Sequence, residues 1–330
     1  MPTFTDDPPR AIEPQLVAPA PTVPRALPDQ VDGAERSQLD ALLPPDMARQ
    51  AELIGVRKAH LPVVSTAALG VLAGAFIALG AVFSTTVIAG AESLPYGVRQ
   101  LLAGVTFTLG LILVVVGGAE LFTGNAMLVM AWAGRKVEGR RLLANWSLVY
   151  VANLAGAVAT AALVFLSGQF TNGDGAVGAA ALAIAERKAT LDFTQAVALG
   201  TLCNALVCLA VWLGFSARST TDRVIATIPP VAAFVAAGFE HSVANMYFLP
   251  FALLIKAYAP ASFWAAIGKT PADFGNLTWS AAVWSNLVPV TLGNVIGGGV
   301  MVAGVYWFVY LRGQPAPAHH RSPVATDDRR

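Results

Sequence analysis

The chain has 330 residues, of which 55% are hydrophobic and only 12% charged, with a formal net charge of +1. Soluble domains carry charged residues at about 25%, so this balance excludes an ordinary soluble fold and points to an all-α polytopic membrane protein. The near-neutral charge offers no bulk attraction for nucleic acid or an acidic partner.

Residues 1–45 hold ten prolines and no apolar core. They read as a disordered, polyproline-like cytoplasmic tail rather than a signal peptide. Residues 46–60, with Arg49, Glu52, Arg57, Lys58 and His60, read as an amphipathic lead-in on the membrane surface. Six apolar stretches then reach the roughly 20 residues that a bilayer crossing needs. The first covers about 62–90. The second covers about 101–132 and is interrupted near Gly117-Gly118-Ala119-Glu120. After a basic loop, span three covers about 142–167 and a glycine-rich connection leads to Glu186-Arg187-Lys188. Span four, about 191–215, holds both cysteines, Cys203 and Cys208. Five positions apart on a helix they face different ways, so they read as small buried hydrophobes rather than a bridge or a metal pair. Span five lies within about 224–258. A connection over about 259–283 precedes span six, about 284–311, and residues 313–330 form a second disordered tail. The membrane domain is therefore 46–312.

Lys and Arg near the span ends divide ten to four between the two sides. The cytoplasmic side of a membrane protein carries the excess, which places both termini in the cytoplasm.

Span five is interrupted at Gly238-Phe239-Glu240-His241-Ser242, and His241 is the one histidine in the predicted membrane region. An ionisable pair at the centre of a membrane segment is costly and is a functional-site hypothesis by default. The interruption repeats one in span two. Gly118-Ala119-Glu120 with Asn125 matches Gly238-Phe239-Glu240 with Asn245, 120 residues on. With three spans per half, the second copy runs in the opposite sense, which suggests an inverted repeat with paired broken helices. A half-helix that starts inside the membrane presents unpaired N–H groups that favour an anion.

Glu120-Leu121-Phe122-Thr123-Gly124-Asn125, the run from Gly238 to Met246, Lys188 followed by Asn204, and Gly293-Asn294 through Gly299 resemble the formate/nitrite transporter family over about residues 46–312. The resemblance implies an aquaporin-like protomer of six spans, assembled as a homopentamer with one pore per protomer, in the inner (plasma) membrane. It implies transport of a small weak-acid anion, formate above all, with nitrite, hydrosulfide and lactate as alternatives. It also implies a central His241 with Thr123 beside it, pore-lining Asn204 and Asn294, a vestibule lysine at Lys188, and apolar constrictions at Phe107, Leu111, Leu121, Phe122, Val207 and Phe234. Gly124-Asn125 after the threonine departs from some formate channels and bears on substrate preference.

His241 is the candidate proton relay: imidazole titrates at about pH 6.5 when unperturbed, and a bare anion entering a low-dielectric constriction faces a barrier that neutralisation removes. The alternative is a core histidine bonded to Thr123 or Asn204. Asn204 and Asn294 can offer amide donors to an oxyanion or to backbone. Glu120 and Glu240 would repel an anion, so they are expected to accept hydrogen bonds at the breaks or to pair with a neighbouring protomer. Lys188 either gathers anions in a vestibule or is a solvated charge.

An enzyme is disfavoured, since the chain lacks His-Glu-x-x-His and Gly-x-Ser-x-Gly, and one intramembrane histidine supplies neither a zinc nor a haem site. No cofactor or metal is implied. Two Asn-Pro-Ala signatures would mark an aquaporin proper, and none occurs. A scaffold role rests on the proline-rich head alone.

Overall fold

A computed structural model describes residues 41–313, and the head to residue 40 and the tail from 314, both expected to be disordered, lie outside the described residues. Every regular element among the described residues is helical.

The first helix, α1 (Pro44–Ala59), starts on two prolines, inside the stretch the sequence assigns to the head. Proline suits a first helical turn because that turn's N–H groups have no intrahelical acceptor. The apolar face of α1 is not left on the membrane surface: Met47, Ala48 and Ala51 join a buried cluster with Met127, Met130 and Trp212.

Five helical stretches are long and apolar enough to cross a bilayer: α2 (Val63–Ile88), α3 (Tyr96–Gly117), α5 (Gly139–Leu166), α7 (Phe193–Ser216) and a final stretch within Pro271–Tyr310. The stretch expected to form span five is divided into α8 (Thr220–Ala236) and α9 (Ser242–Tyr258), 17 residues each. At 1.5 Å per residue each piece covers about 26 Å, short of a hydrocarbon core of about 30 Å. α8 opens on a Ser219–Asp222 capping box, which satisfies its first free N–H groups.

Both interruptions are built alike. α3 is followed directly by Gly118 with φ +74°, and α8 by Ala237 and then Gly238 with φ +72°. Glycine takes this left-handed conformation without a Cβ clash, so the chain turns out of the helix there. After the first break it resumes in a 3₁₀ turn (Gly124–Leu128) and the short α4 (Val129–Ala133). After the second it resumes in α9, whose Val243, Met246, Tyr247, Leu249 and Phe251 are at most 1% exposed. A helix apolar all round belongs in the interior, and α9 lies there.

Two connections hold more structure than the sequence suggests. The glycine-rich stretch before Lys188 folds into α6 (Ala176–Ala189). The stretch after α9 holds α10 (Ala261–Ile267), bent by 110° from α9. The last span, α11 (279–310), is one rod in which α-helical turns alternate with π-helical stretches at Ala282–Leu287 and Ile296–Gly304.

Small residues set the spacing between spans. α2 and α5 approach so closely that a Cβ on Gly156 would overlap the Val71 carbonyl oxygen. α7 and α11 repeat the arrangement, with Gly297 against the Thr201 carbonyl.

Candidate functional site

Backbone that leaves a helix at membrane depth must find partners inside the protein. At the first break Asn153 of α5 supplies them. Its Oδ1 accepts from Phe122 N (2.9 Å), and its Nδ2 donates to Gly70 O (2.7 Å) and Glu120 O (2.9 Å). At the second break Asn294 of α11 does the same. Its Oδ1 accepts from Ser242 N (2.9 Å), and its Nδ2 donates to Gly200 O (2.8 Å) and Glu240 O (3.0 Å). Asn294, implied as a pore-lining donor, thus uses its amide on backbone.

The carboxylates beside the breaks bind side chains of their own chain. Lys58 of α1 lies 3.0 Å from Glu120 Oε1, and Asn125 Nδ2 donates to Glu120 Oε2 (2.7 Å) and to Asn145 Oδ1 (3.0 Å). In the second half Lys188 of α6 lies 2.8 Å from Glu240 Oε1. Asn245 Nδ2 donates to Glu240 Oε2 (2.7 Å) and to Asn286 Oδ1 (2.6 Å). Lys188 sits in the last turn of α6, and its charge is buried and paired. Its side chain is 10% exposed, against 28% for Lys58.

Where the two breaks meet, Thr123 Oγ1 and His241 Nε2 are 2.9 Å apart. His241 caps α9: its Nδ1 accepts the Ala244 N–H at 3.1 Å. That fixes Nδ1 as an acceptor, so in the neutral ring Nε2 carries the proton and donates it to Thr123. The imidazole lies nearly parallel to the Phe234 ring, with centroids 5.9 Å apart. Asn204 of α7 holds Thr123 from behind, its Nδ2 donating to Thr123 O (3.2 Å) and Asn294 O (2.7 Å). Cys208, one turn on, directs its thiol at the same Thr123 carbonyl from 3.5 Å.

Two cavities lie at the two breaks, and His241 lines the second. One, of about 200 Å³, is lined by Lys58, Glu120, Leu111, Leu121 and Phe215. The other, of about 80 Å³, is lined by Arg187, Lys188, Phe107, Phe234, Glu240 and His241. The apolar residues implied as constrictions are all buried, and they divide among three settings. Leu111 and Leu121 face the first cavity; Phe107 and Phe234 face the second, edge to face with centroids 5.9 Å apart. Phe122 instead packs against Tyr150 and Trp146, and Val207 joins the core. Among the described residues no group of three His, Cys, Asp or Glu side chains is placed to hold a metal.

Asn145, Asn153 and Asn286, fully or almost fully buried, and the partner role of Lys58 escaped sequence reasoning. The signal was present as paired separations: Lys58 and Lys188 are 130 apart, Asn145 and Asn286 are 141 apart, and Asn153 and Asn294 are 141 apart.

A family profile described as "Formate/nitrite transporter" matches residues 45–308. The formate channel FocA of Escherichia coli (strain K12) is 44% identical over 273 residues, covering 83% of this chain and 96% of the relative. A probable formate transporter of Methanothermobacter thermautotrophicus is 35% identical over 286 residues, covering 82% and 97%. A solved pentameric formate channel with formate bound superposes with a TM-score of 0.73 at 46% identity, covering 76% of this chain and 98% of that one. The chain is a multi-pass membrane transport protein, not an enzyme, and it belongs to the formate/nitrite transporter family.

Proposed function

We propose that the protein is a formate channel, that it moves formate across the inner membrane together with a proton, and that it works as a homopentamer with both termini in the cytoplasm. Formate is preferred over nitrite, hydrosulfide or lactate because the similar proteins carry formate in their names and one was solved with formate bound. Likeness to a pentameric channel supports the assembly. The ten-to-four distribution of Lys and Arg supports the orientation, with the two halves crossing the lipid in opposite senses.

One observation carries the mechanism: a histidine and a threonine, 2.9 Å apart, stand where two interrupted helices meet, with one cavity lined by His241 and another lined by Leu121 and Gly124 next to Thr123. Apolar side chains at Leu111, Leu121, Phe107 and Phe234 exclude hydrated ions. A carboxylate reaching the pair meets a hydroxyl backed by an imidazole. When His241 has taken up a proton at Nδ1, the imidazolium passes its Nε2 proton to Thr123 Oγ1 while the hydroxyl's own proton moves to the carboxylate. The substrate leaves as the neutral acid. The ring is left neutral with its proton on Nδ1, and loss of that proton, with recovery of one at Nε2, restores the Ala244 bond. Arg187, which lines the second cavity, favours approach of an anion there, while Lys58 and Lys188 are each paired with a carboxylate.

The test is formate uptake by proteoliposomes containing only this protein, measured against His241→Asn. Formate flux that follows the wild-type pH dependence in a folded His241→Asn protein would remove the relay; absence of formate flux in the wild type would remove the substrate assignment.

A further inference from the structure

A third cavity, of about 320 Å³, shares no lining residue with the two at the breaks. Its walls are α4, the first turns of α5 and the second π-helical stretch of α11, meeting at Val129, Trp132, Leu143, Trp146, Gly299 and Val300. No charged or hydroxyl-bearing side chain lines it. Glycine lets the walls meet: a Cβ on Gly299 would stand 3.3 Å from Val129 Cγ2. Leu143 and Val300 are 60% and 63% exposed, so the cavity is a groove open on the outside of the helix bundle rather than an enclosed void. Trp146 is fixed in its wall, with Nε1 donating inward to Asn125 O (2.9 Å).

Positive charge collects at one end of the groove. The turn between α4 and α5 carries Arg135, Lys136, Arg140 and Arg141 against one carboxylate, Glu138. Lys136 is bound to Glu52 of α1. Arg135 and Arg140 are exposed, and neither forms an ion pair or side-chain hydrogen bond among the described residues. Both are tied to the groove. Arg135 N donates to the carbonyl of Trp132 (2.9 Å), and Arg140 follows the lining residue Gly139 and lies one turn from Leu143 on the same side of α5.

We infer that this groove and these two guanidiniums form a site for an anionic phospholipid of the surrounding bilayer, with an acyl chain between α4, α5 and α11 and the phosphate at Arg135 and Arg140. A groove walled by carbon offers nothing to a free anion, and guanidiniums alone hold no acyl chain. An anionic lipid meets both demands in one molecule, since arginine pairs its N–H donors with phosphate oxygens while the chain covers apolar surface. A zwitterionic lipid brings its own cation into the same space. The bound chain flanks α4, the five-residue helix that carries the backbone away from the first break, so occupancy stabilises the fold.

The experiment follows thermal unfolding of the full-length protein in neutral detergent while lipid is added. Phosphatidylglycerol is expected to raise Tm at about 30-fold lower concentration than phosphatidylcholine with the same chains, the worth of two arginines at a lipid surface. Inorganic phosphate is expected to leave Tm unchanged. Arg135→Gln combined with Arg140→Gln should erase the difference between the two lipids, and lysine at both positions should keep most of it. Leu143→Trp, or Val300→Trp on the opposite wall, fills the groove from an exposed position. Either should abolish the phosphatidylglycerol shift and leave the size of the assembly unchanged. Equal shifts from the two lipids, a difference that survives both glutamines, or a shift reproduced by phosphate alone would each overturn the site. Loss of assembly in both tryptophan variants would overturn it too, and would give the groove to a second copy of the chain.

Discussion

Replacing Glu240 by glutamine tests whether the second break is held by charge. Glu240 and Lys188 lie 2.8 Å apart with side chains 6% and 10% exposed. The substitution keeps an oxygen for Asn245 and Asn286 but leaves an uncompensated ammonium 5.5 Å from the centre of the Phe248 ring. Removing one partner of a buried pair costs about 3–5 kcal/mol, and the retained hydrogen bonds put this case near 3. A domain of about 150–250 residues loses about 2–4 °C in Tm per kcal/mol, so a fall of about 6–12 °C is expected. Thermal unfolding of the detergent-solubilised protein, followed by loss of the monodisperse peak, reads it directly. Two controls define the reasoning. Adding Lys188→Met to Glu240→Gln should recover most of the loss, because no isolated charge remains. Glu120→Gln should cost about 1 kcal/mol, since Lys58, 28% exposed, can turn to water. A double variant showing the sum of the single losses, or equal losses at Glu120 and Glu240, would refute the argument.

The other expectations follow from single contacts. Thr123→Val removes the acceptor of the His241 Nε2–H and should lower formate uptake by at least about tenfold, the equivalent of one buried hydrogen bond, while Thr123→Ser keeps most of it. His241→Asn should yield a folded protein whose residual formate flux no longer varies with pH, measured by uptake at matched formate concentration. Asn153→Ala removes three bonds that hold the first break and should destabilise the protein by about 3 kcal/mol, read as a fall in Tm.

The sequence carried the broken helices because their cost is local. A glycine followed two positions later by a glutamate, inside apolar sequence, is unusual wherever it falls, and it falls twice at a separation of 120. The chain therefore disclosed the membrane class, both interruptions and the single central histidine. It did not disclose what each glutamate binds. The lysines that pair with Glu120 and Glu240 are 130 apart and the asparagines that complete each set are 141 apart, so insertions between the elements hide the duplication from any fixed offset.

Apolar content and a costly buried charge are written in composition and order, so residue sequence alone determined that this chain crosses a bilayer and keeps one imidazole within it. Partnership was decided by the tertiary structure. Hydrogen bonds form between atoms about 3 Å apart, and only folding brings Thr123 to His241 across 118 positions of chain, buries Lys188 against Glu240, and turns the Asn294 amide onto backbone.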